Sequence, residues 1–312
     1  MITRRRFFTA LAAAGASSLA LCGYAFGVEP AYRLVQTHYH LVPPGWPPAL
    51  HLRIAVIADL HACKPWMDVP RIAEIVDYAN ALEPDLVVLL GDYEARHRWT
   101  TGLVAPQAWA ARLAQLRAPL GVHAILGNHD WWDDEQAQRD RRGPVFGKRA
   151  LEAAGIPVYE NDVVRLVHRG QAFWLAGLAD QIALAEGPRG RRRRFLGLDD
   201  LPGAIAQITD NAPVLLLAHE PDIFPRVPAR VSLTLSGHTH GGQVRLFGYS
   251  PVVPSRFGNR YAYGHVIEQR DDGPRHLIVS GGLGCSIAPV RLGVPPEILL
   301  VELGVDTASM PA

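Results

Sequence analysis

The 312-residue sequence has few cysteines and no excess of charge of either sign. Its three cysteines are too few for a disulfide scaffold and lack the spacing of a zinc ribbon. With 31 Lys and Arg against 30 Asp and Glu, the formal charge is +1, so no global cationic field exists to attract nucleic acid. We therefore expect no nucleic-acid partner.

Two common catalytic signatures are also missing. The glycines of residues 281–284 are not followed by Gly-Lys-Ser or Gly-Lys-Thr, which makes a nucleotide phosphate loop a weak interpretation. Ser236 lacks the Gly-x-Ser-x-Gly frame of a hydrolase nucleophile. The thirteen histidines are the more informative feature of the composition.

The amino terminus reads as a membrane-directed segment. Three arginines at 4–6 precede an uncharged stretch, residues 9–28, and this pattern resembles a twin-arginine export signal. Ala25 and Gly27 predict cleavage after Gly27, but residues 7–28 are also long enough to span a bilayer as a retained anchor. A buried amino-terminal helix is the third alternative. We expect the twin-arginine machinery to export the chain to the periplasm or to the outer face of the inner membrane.

The body follows a proline-rich segment. Residues 42–48 read Val-Pro-Pro-Gly-Trp-Pro-Pro, a non-helical connector. The predicted organisation is a signal or anchor at 1–27, a connector at 28–49, one domain at 50–304 and a tail at 305–312. Short apolar runs, each followed by polar residues, predict buried strands at 52–58, 86–90, 122–126, 214–218 and 232–235. Helices are predicted at 69–82 and 106–116, between the first three strands.

Later runs predict a second, mixed sheet, with strands at 163–167, 172–178, 263–268, 276–279 and 298–303. The predicted fold class is α/β: a four-layer αββα sandwich of two mixed sheets with helices outside. Because aligned strands place their following loops at one sheet edge, we expect the residues after the first five strands to meet. These residues are Asp59, His61, Asp92, Asn128, His129, Asp130, His219, His238 and His240.

The order of these residues resembles a known family. They stand as Asp59-Leu60-His61, Gly91-Asp92, Gly127-Asn128-His129-Asp130, His219 and Gly237-His238-Thr239-His240. This pattern, over about residues 52–303, resembles the calcineurin-like metallophosphoesterases. The Gly241-Gly242-Gln243 sequence, the Pro289-x-Arg291 tail and the arginine pair are similar to the bacterial branch of twin-arginine-exported phosphodiesterases. Residues 93–96, Tyr-Glu-Ala-Arg, depart from the small or acidic residues that relatives often have there.

The resemblance implies a site with two divalent ions. Asp59, His61 and His240 would hold one ion. Asn128, His219 and His238 would hold the other, and Asp92 would bridge the two. His129 would stabilise the transition state and protonate the leaving alkoxide, with Asp130 orienting its ring and raising its pKa. Imidazole with oxygen ligands suits Mn²⁺, Fe or Zn²⁺.

The implied activity is hydrolysis of a small or lipid-linked phosphodiester or pyrophosphate by a hydroxide that bridges the two metals. Two such ions clamp the phosphate oxygens and lower the pKa of a bridging water towards roughly 7. A phosphomonoesterase or nucleotidase with the same site, and a non-catalytic metal-binding scaffold, remain alternatives. Arg291 is expected to close the phosphate pocket, or else to be an ordinary surface arginine.

Three further features have two interpretations each. The arginines at 189 and 191–194 form a solvated loop or a patch for anionic lipid headgroups at the membrane surface. Residues 131–132, both Trp, wall a substrate channel or touch lipid, or else pack in the core. Cys63 and Cys285 pair in an oxidising compartment, or remain two unpaired buried thiols.

Overall fold

The computed structural model of the chain describes residues 3–187 and 194–305. Its strands are β1 Val35–Leu41, β2 Leu52–Ile57, β3 Cys63–Lys64, β4 Leu86–Leu89, β5 Gly102–Leu103, β6 Val122–Ala124, β7 Asp162–His168, β8 Gln171–Gly177, β9 Leu184–Glu186, β10 Arg194–Leu196, β11 Val214–Leu217, β12 Leu233–Ser236, β13 Gly264–Glu268, β14 Arg275–Val279 and β15 Glu297–Leu303. Its α-helices are α1 Arg4–Gly23, α2 Glu29–Tyr32, α3 Val69–Ala81, α4 Pro106–Leu113, α5 Asn128–Trp132, α6 Glu135–Asp140, α7 Phe146–Ala153 and α8 Leu201–Ala206. Short 3₁₀ helices cover Pro221–Arg226, His240–Gly242 and Gly258–Tyr261, and a π-helical turn covers Tyr24–Val28.

Two mixed sheets form the body of the molecule. The first has the order β1-β15-β2-β4-β6, in which β2, β4 and β6 are parallel and β15 runs antiparallel to β2. The second has the order β13-β14-β12-β11-β8-β7, with a parallel centre and antiparallel strands at both edges. The predicted pair of mixed sheets is confirmed.

The layers follow from which way the strand side chains point. Successive side chains of a strand face opposite sides of the sheet. In β4, Val88 packs in a cluster with Leu215 of the second sheet, whereas Val87 packs in a cluster with Trp109 of α4. The outer face of the second sheet packs on α8 and the 3₁₀ helix that contains Phe224. The order is therefore helix, sheet, sheet, helix, which is the predicted αββα sandwich.

Helix α3 illustrates why the sequence folds locally as it does. Asp68 caps it, since its side chain accepts a hydrogen bond from the backbone N–H of Arg71 at 3.1 Å. Proline in the first turn costs no hydrogen bond there. Its buried residues recur at helical spacing and face the first sheet; they are Ile72, Ile75, Val76 and Ala79.

Two assignments made from the sequence were wrong. The segment 28–49 is not only a connector, because β1 lies within it and pairs in parallel with β15. The strand predicted at 298–303 belongs to the first sheet rather than the second, since β15 lies between β1 and β2. β1 alternates half-buried and exposed residues, as an edge strand does. Because every second residue is polar and prolines follow the strand, the sequence lacks the continuous apolar run by which the buried strands were predicted.

The amino-terminal segment is one long helical element. Arg4–Tyr32 is, within residues 3–187 and 194–305, the one helix long and apolar enough to cross a membrane by length and composition. No residue of α1 is buried, which disfavours the buried amino-terminal helix. Burial begins at Ala25 and includes Glu29 and Pro30. The carbonyl of Ala25 accepts a hydrogen bond from the backbone N–H of Arg291 at 2.9 Å.

Candidate metal centre and active site

The predicted site residues lie together at one edge of the two sheets. From the first sheet, Asp59 and His61 follow β2, Asp92 follows β4, and Asn128 begins α5 after β6. From the second sheet, His219 follows β11, and His238 and His240 follow β12. We call these seven residues the ligand cluster. All are buried except His238, which is half-buried.

Asp92 lies at the centre of the ligand cluster. Three groups have donor atoms within 4.8 Å of one another: Asp59 with His61 and His240, His61 with Asp92 and His129, and Asp92 with His219 and His238. The Oδ2 atom of Asp92 is 3.5 Å from Nε2 of His61 and 3.3 Å from Nε2 of His219. One carboxylate therefore reaches both halves of the cluster.

The backbone of the ligand cluster is strained. Five of its members adopt left-handed conformations that L-residues rarely use: Asp59 (φ 53°), His61 (47°), Asp92 (56°), His238 (68°) and His240 (51°). Each such residue costs on the order of 1 kcal/mol or more, and such strain concentrates at functional sites. The strained turns after the strands direct these polar side chains towards one another, which is consistent with a functional site.

Gly127 shows how closely the loops approach. A Cβ added at Gly127 would lie 2.4 Å from Oδ1 of Asp92 and 2.6 Å from Cε1 of His219. Only glycine fits between these two side chains. The Gly-Asn-His-Asp motif thus places its first residue against the centre of the ligand cluster, as well as supplying Asn128 and His129.

Hydrogen bonds at the outer ring nitrogens fix the orientation of two histidines. Nδ1 of His219 lies 2.6 Å from the carbonyl of Leu90, and Nδ1 of His61 lies 3.0 Å from the carbonyl of Glu94. With Nδ1–H donating to a carbonyl, Nε2 is left as the acceptor that can ligate a metal. Nε2 of His219 is buried and faces Oδ2 of Asp92 at 3.3 Å, and Nε2 of His61 faces Nε2 of His240 at 3.0 Å.

The electrostatics of the ligand cluster fit a bound cation. Burial lowers the pKa of His61 to about 3 and that of His240 well below its ordinary value, so both rings are neutral, as metal ligation requires. Burial alone would also lower the pKa of His219, but the adjacent charge of Asp92 raises it well above its ordinary value. The pocket thus favours a positive charge between Asp92 and His219. The donors and this charge preference together fit divalent ions.

His129 is the accessible imidazole beside the ligand cluster. Its side chain is 21% exposed, Nδ1 lies 3.6 Å from Oδ2 of Asp133, and Nε2 lies 3.2 Å from Oγ of Ser286. Although burial opposes the change, Asp92 and then Asp133 raise the pKa of His129. An imidazole whose Nδ1 faces a carboxylate and whose Nε2 faces a cavity can deliver the proton on Nε2 to a substrate.

Asp130 contributes to raising the pKa of His129, as the sequence predicted, but its hydrogen bonds go to the backbone and do not orient the ring. Its carboxylate accepts hydrogen bonds from the backbone N–H groups of Asp92 and Tyr93, both at 2.9 Å, and of Gly127 at 2.8 Å. It therefore joins the two loops that carry Asp92 and Asn128. The carboxylate next to the ring is Asp133, one helical turn after His129, which the sequence reasoning missed.

Arg291 lies behind the site rather than in it. Its side chain is fully buried, Nε donates to the carbonyl of Gly284 at 3.0 Å, and Nη1 donates to that of Val294 at 2.9 Å. Nη2 lies 3.3 Å from Nδ1 of His240. These contacts do not support the expectation that Arg291 closes the phosphate pocket, and instead place it as a support for His240.

A cavity of about 880 Å³ opens above the ligand cluster. Asn128, His129 and His240 contribute to its lining, together with mostly apolar loop residues. Trp132 lines the cavity, whereas Trp131 is buried in the core. The two adjacent tryptophans therefore divide the two roles that the sequence left open.

The remaining sequence features are also located. Cys63 and Cys285 are both buried and unpaired, as in the second of the two alternatives. Arg194 is exposed at the start of β10, while the arginines at 189 and 191–193 lie outside the described residues. The basic patch therefore stays a prediction.

Comparison with known proteins identifies the family. The model of the calcineurin-like phosphoesterase family matches residues 52–242, and the chain belongs to this family. Proteins of this family are metal-dependent phosphoester hydrolases that generally bind two divalent ions.

Curated relatives cover nearly the whole chain. The uncharacterized metallophosphoesterase YkuE of Bacillus subtilis is 29% identical over 97% of this chain and 98% of its own length. Phosphodiesterase YaeI of Escherichia coli is 29% identical over 97% of this chain and 100% of its own length. A bovine transmembrane protein with a metallophosphoesterase domain is 29% identical over 86% of this chain and 56% of its own length.

Proposed function

We propose that this protein is a phosphodiesterase that works with two divalent ions held by the ligand cluster. The position of Asp92, within reach of both halves of the cluster, carries the proposal. Asp59, His61 and His240 would hold one ion, and Asn128, His219 and His238 the other, with Asp92 shared. The ions would be Mn²⁺, Fe or Zn²⁺, which suit imidazole with oxygen ligands. The near full-length similarity to Phosphodiesterase YaeI supports the same activity.

The chemistry divides between the ions and the chain. When bound, two divalent ions neutralise phosphate oxygens and make water nucleophilic near neutral pH. His129 delivers a proton from Nε2 to the leaving oxygen, because this nitrogen points towards Ser286 at the cavity wall. Asp133 stabilises the protonated ring at Nδ1. Asp130 joins the loops that carry Asp92 and Asn128 through its three backbone hydrogen bonds.

The volume of the cavity is compatible with a phosphodiester substrate. A volume of about 880 Å³ greatly exceeds that of a phosphate group, so it accommodates substituents on both sides of the phosphorus. The proposed substrate is a small or lipid-linked phosphodiester or pyrophosphate. A phosphomonoesterase or nucleotidase is the second candidate, because the ligand cluster alone does not distinguish the two reactions.

We also propose that the chain is exported by the twin-arginine pathway and remains anchored to the outer face of the inner membrane. The burial of Ala25, Glu29 and Pro30 against the body supports retention of the helix. The arginines at 4–6 favour a cytoplasmic amino terminus, because positive residues beside a spanning helix tend to stay inside. The transmembrane relative is consistent with an anchor.

The activity is tested with purified protein stripped of metal and reloaded with Mn²⁺, Zn²⁺ or Fe²⁺. We expect metal-dependent hydrolysis of bis(p-nitrophenyl) phosphate in preference to p-nitrophenyl phosphate, with about two ions bound per chain by elemental analysis. His129→Ala should retain the bound metal and lose at least about 100-fold in turnover of diesters with alkyl leaving groups, whose oxygen must be protonated before it departs. Absence of metal-dependent turnover on either ester, with His129→Ala equal to the wild type, would contradict the proposal.

A further inference from the structure

Large exposed apolar side chains occur within or next to three loop segments that contribute to the lining of the cavity, residues 96–98, 242–254 and 286–290. They belong to three loops and include Ile287, which is 78% exposed, and Val252, which is 69% exposed, and both line the cavity. We call the following set the apolar rim: Trp99, Leu246, Phe247, Tyr249, Val252 and Ile287. Such a concentration of exposed apolar residues around one site marks an interaction surface.

Phe247 is the most exposed member of the rim and is rigidly presented. Leu246 and Tyr249 exchange two backbone hydrogen bonds, of 2.9 and 3.0 Å, so the residues between them form a tight turn. Phe247 and Gly248 at its tip have φ of 52° and 80°. Turns of this kind normally use Asn or Gly at both positions, so a phenylalanine there accepts backbone strain to project into solvent.

The rim loops are joined to each other and to the amino-terminal helix. Gln243 donates from its side-chain amide to the carbonyls of Ala288 at 3.0 Å and Val290 at 3.1 Å, which ties the loop of Ile287 to the loop of Phe247. The next residue, Arg291, donates its backbone N–H to Ala25 of the helix. The helix therefore leaves the body beside the rim.

The length of the helix suggests what covers this surface. The 20 residues of α1 extend about 30 Å, the thickness of the hydrocarbon core of a bilayer. Tyr24 and the exposed Tyr32 lie at its body-proximal end, where aromatic residues mark the membrane–water boundary. The exposed Arg96 and Arg98 line the same cavity and carry the charge that anionic headgroups attract.

We propose that the apolar rim docks onto the lipid bilayer that α1 spans, so that the active-site cavity opens towards the membrane surface. The enzyme then acts on phosphoesters of amphiphiles whose headgroups reach the cavity while their acyl chains remain beside the rim. This substrate class rests on the proposed phosphodiesterase activity, whereas the docking rests only on the proposed membrane anchor.

The docking is tested by a probe that needs no activity. The full chain carries Cys22→Ala, because Cys22 is the exposed cysteine while Cys63 and Cys285 are buried. Phe247→Cys is labelled with an environment-sensitive fluorophore and reconstituted into vesicles of phosphatidylethanolamine and phosphatidylglycerol containing nitroxide lipids.

Val167→Cys provides the matched control. Val167 is 52% exposed and pairs with Ala172 at the start of β8, the sheet edge opposite the ligand cluster. We expect blue-shifted emission and nitroxide quenching at position 247 and neither at 167. Equal, water-like emission at both positions would overturn the docking.

A second experiment separates docking from chemistry. Phe247→Asp and Val167→Asp are assayed on soluble bis(p-nitrophenyl) phosphate and on phosphatidyl-p-nitrophenol in vesicles, which has the same leaving group. Phe247→Asp should lose about tenfold on the vesicle substrate, from the lost burial of one aromatic side chain, and match Val167→Asp on the soluble one. Wild-type rates of Phe247→Asp on vesicles would contradict the proposal. Inactivity of the wild type on both substrates would contradict the proposed function alone.

Discussion

The ligand cluster and the apolar rim are neighbours with opposite construction. Members of the cluster such as Asp59 and His61 are completely buried and oriented by hydrogen bonds, whereas rim residues such as Phe247 and Ile287 are exposed. Both regions accept left-handed backbone at non-glycine residues. In the cluster, this strain turns polar groups inward to one point, while in the rim it turns an apolar group outward. In our proposals, the ligand cluster carries out the reaction and the apolar rim determines which substrates reach it.

Asp92→Asn should produce the largest loss and affects the cluster alone. In the wild type, the backbone N–H of His129 donates to Oδ1 of Asp92 at 2.8 Å. Asparagine keeps the size of the side chain and this acceptor, but it removes the negative charge that both halves of the cluster would share. We expect turnover of bis(p-nitrophenyl) phosphate to fall about 1,000-fold or more and bound metal to fall below two ions per chain. Asp85→Asn is the control, since Asp85 precedes β4 at the opposite edge. Normal metal content and turnover in Asp92→Asn would show that the ligand cluster does not carry out the reaction.

Gly127→Ala should come next, because it displaces ligands without removing any. The new Cβ forces Asp92 and His219 apart, and a shift of about 1 Å at a reacting centre costs about 100-fold in rate. Gly147→Ala is the matched control, since a Cβ there meets nothing closer than 3.7 Å. The measurement is kcat and bound metal at equal folded fraction. Equal kcat values for the two variants would show that the ligand cluster tolerates displacement of Asp92 and His219.

Asp133→Asn and Asp130→Asn should separate catalysis from support within the site. Asp133→Asn should lower kcat about tenfold on diesters with alkyl leaving groups, little on nitrophenyl esters, and leave Tm unchanged. Asp130→Asn should lower the free energy of unfolding by about 2 kcal/mol, because three backbone donors use both carboxylate oxygens and an amide offers one acceptor oxygen in their place. If Asp133→Asn changed Tm and left the dependence of kcat on the leaving group unchanged, Asp133 would be a structural residue rather than the partner of the catalytic His129.

The smallest effect is expected at the cavity mouth. Replacing both Arg96 and Arg98 by Gln should raise KM for an anionic diester severalfold at low salt and leave kcat unchanged, because exposed charges attract substrate without entering the transition state. The difference should disappear at high salt. Arg169→Gln, in the turn between β7 and β8, controls for the loss of charge. A fall in kcat would place these arginines in the chemistry instead.

Much of this arrangement is predictable from the sequence, because the polar motifs indicate the chemistry and the apolar runs before them indicate the strands. Each buried strand ends in a polar motif, and parallel strands bring such ends together whatever the exact helix bounds. That logic predicts that Asp59, Asp92 and His219 lie close together, as they do in the structure. It also placed β15 in the wrong sheet, since an apolar run indicates burial and not its neighbour.

There is a physical reason for each residue whose role the sequence did not reveal. Asp133 becomes the partner of His129 only through the single helical turn of α5, which brings residues four apart together. Arg291 contradicts the general exposure of arginine, because three acceptors surround it. Phe247 is an isolated aromatic in the sequence, and its exposure follows from a turn whose conformation phenylalanine disfavours.

Arg291 joins two distant parts of the molecule by itself. Its backbone N–H holds the carbonyl of Ala25, and its guanidinium holds the loop behind His240. Proteolytic trimming after Gly27 would therefore do more than release the body from its lipid environment. It would also remove one backbone hydrogen bond from Arg291, the residue whose guanidinium contacts His240 of the proposed metal site.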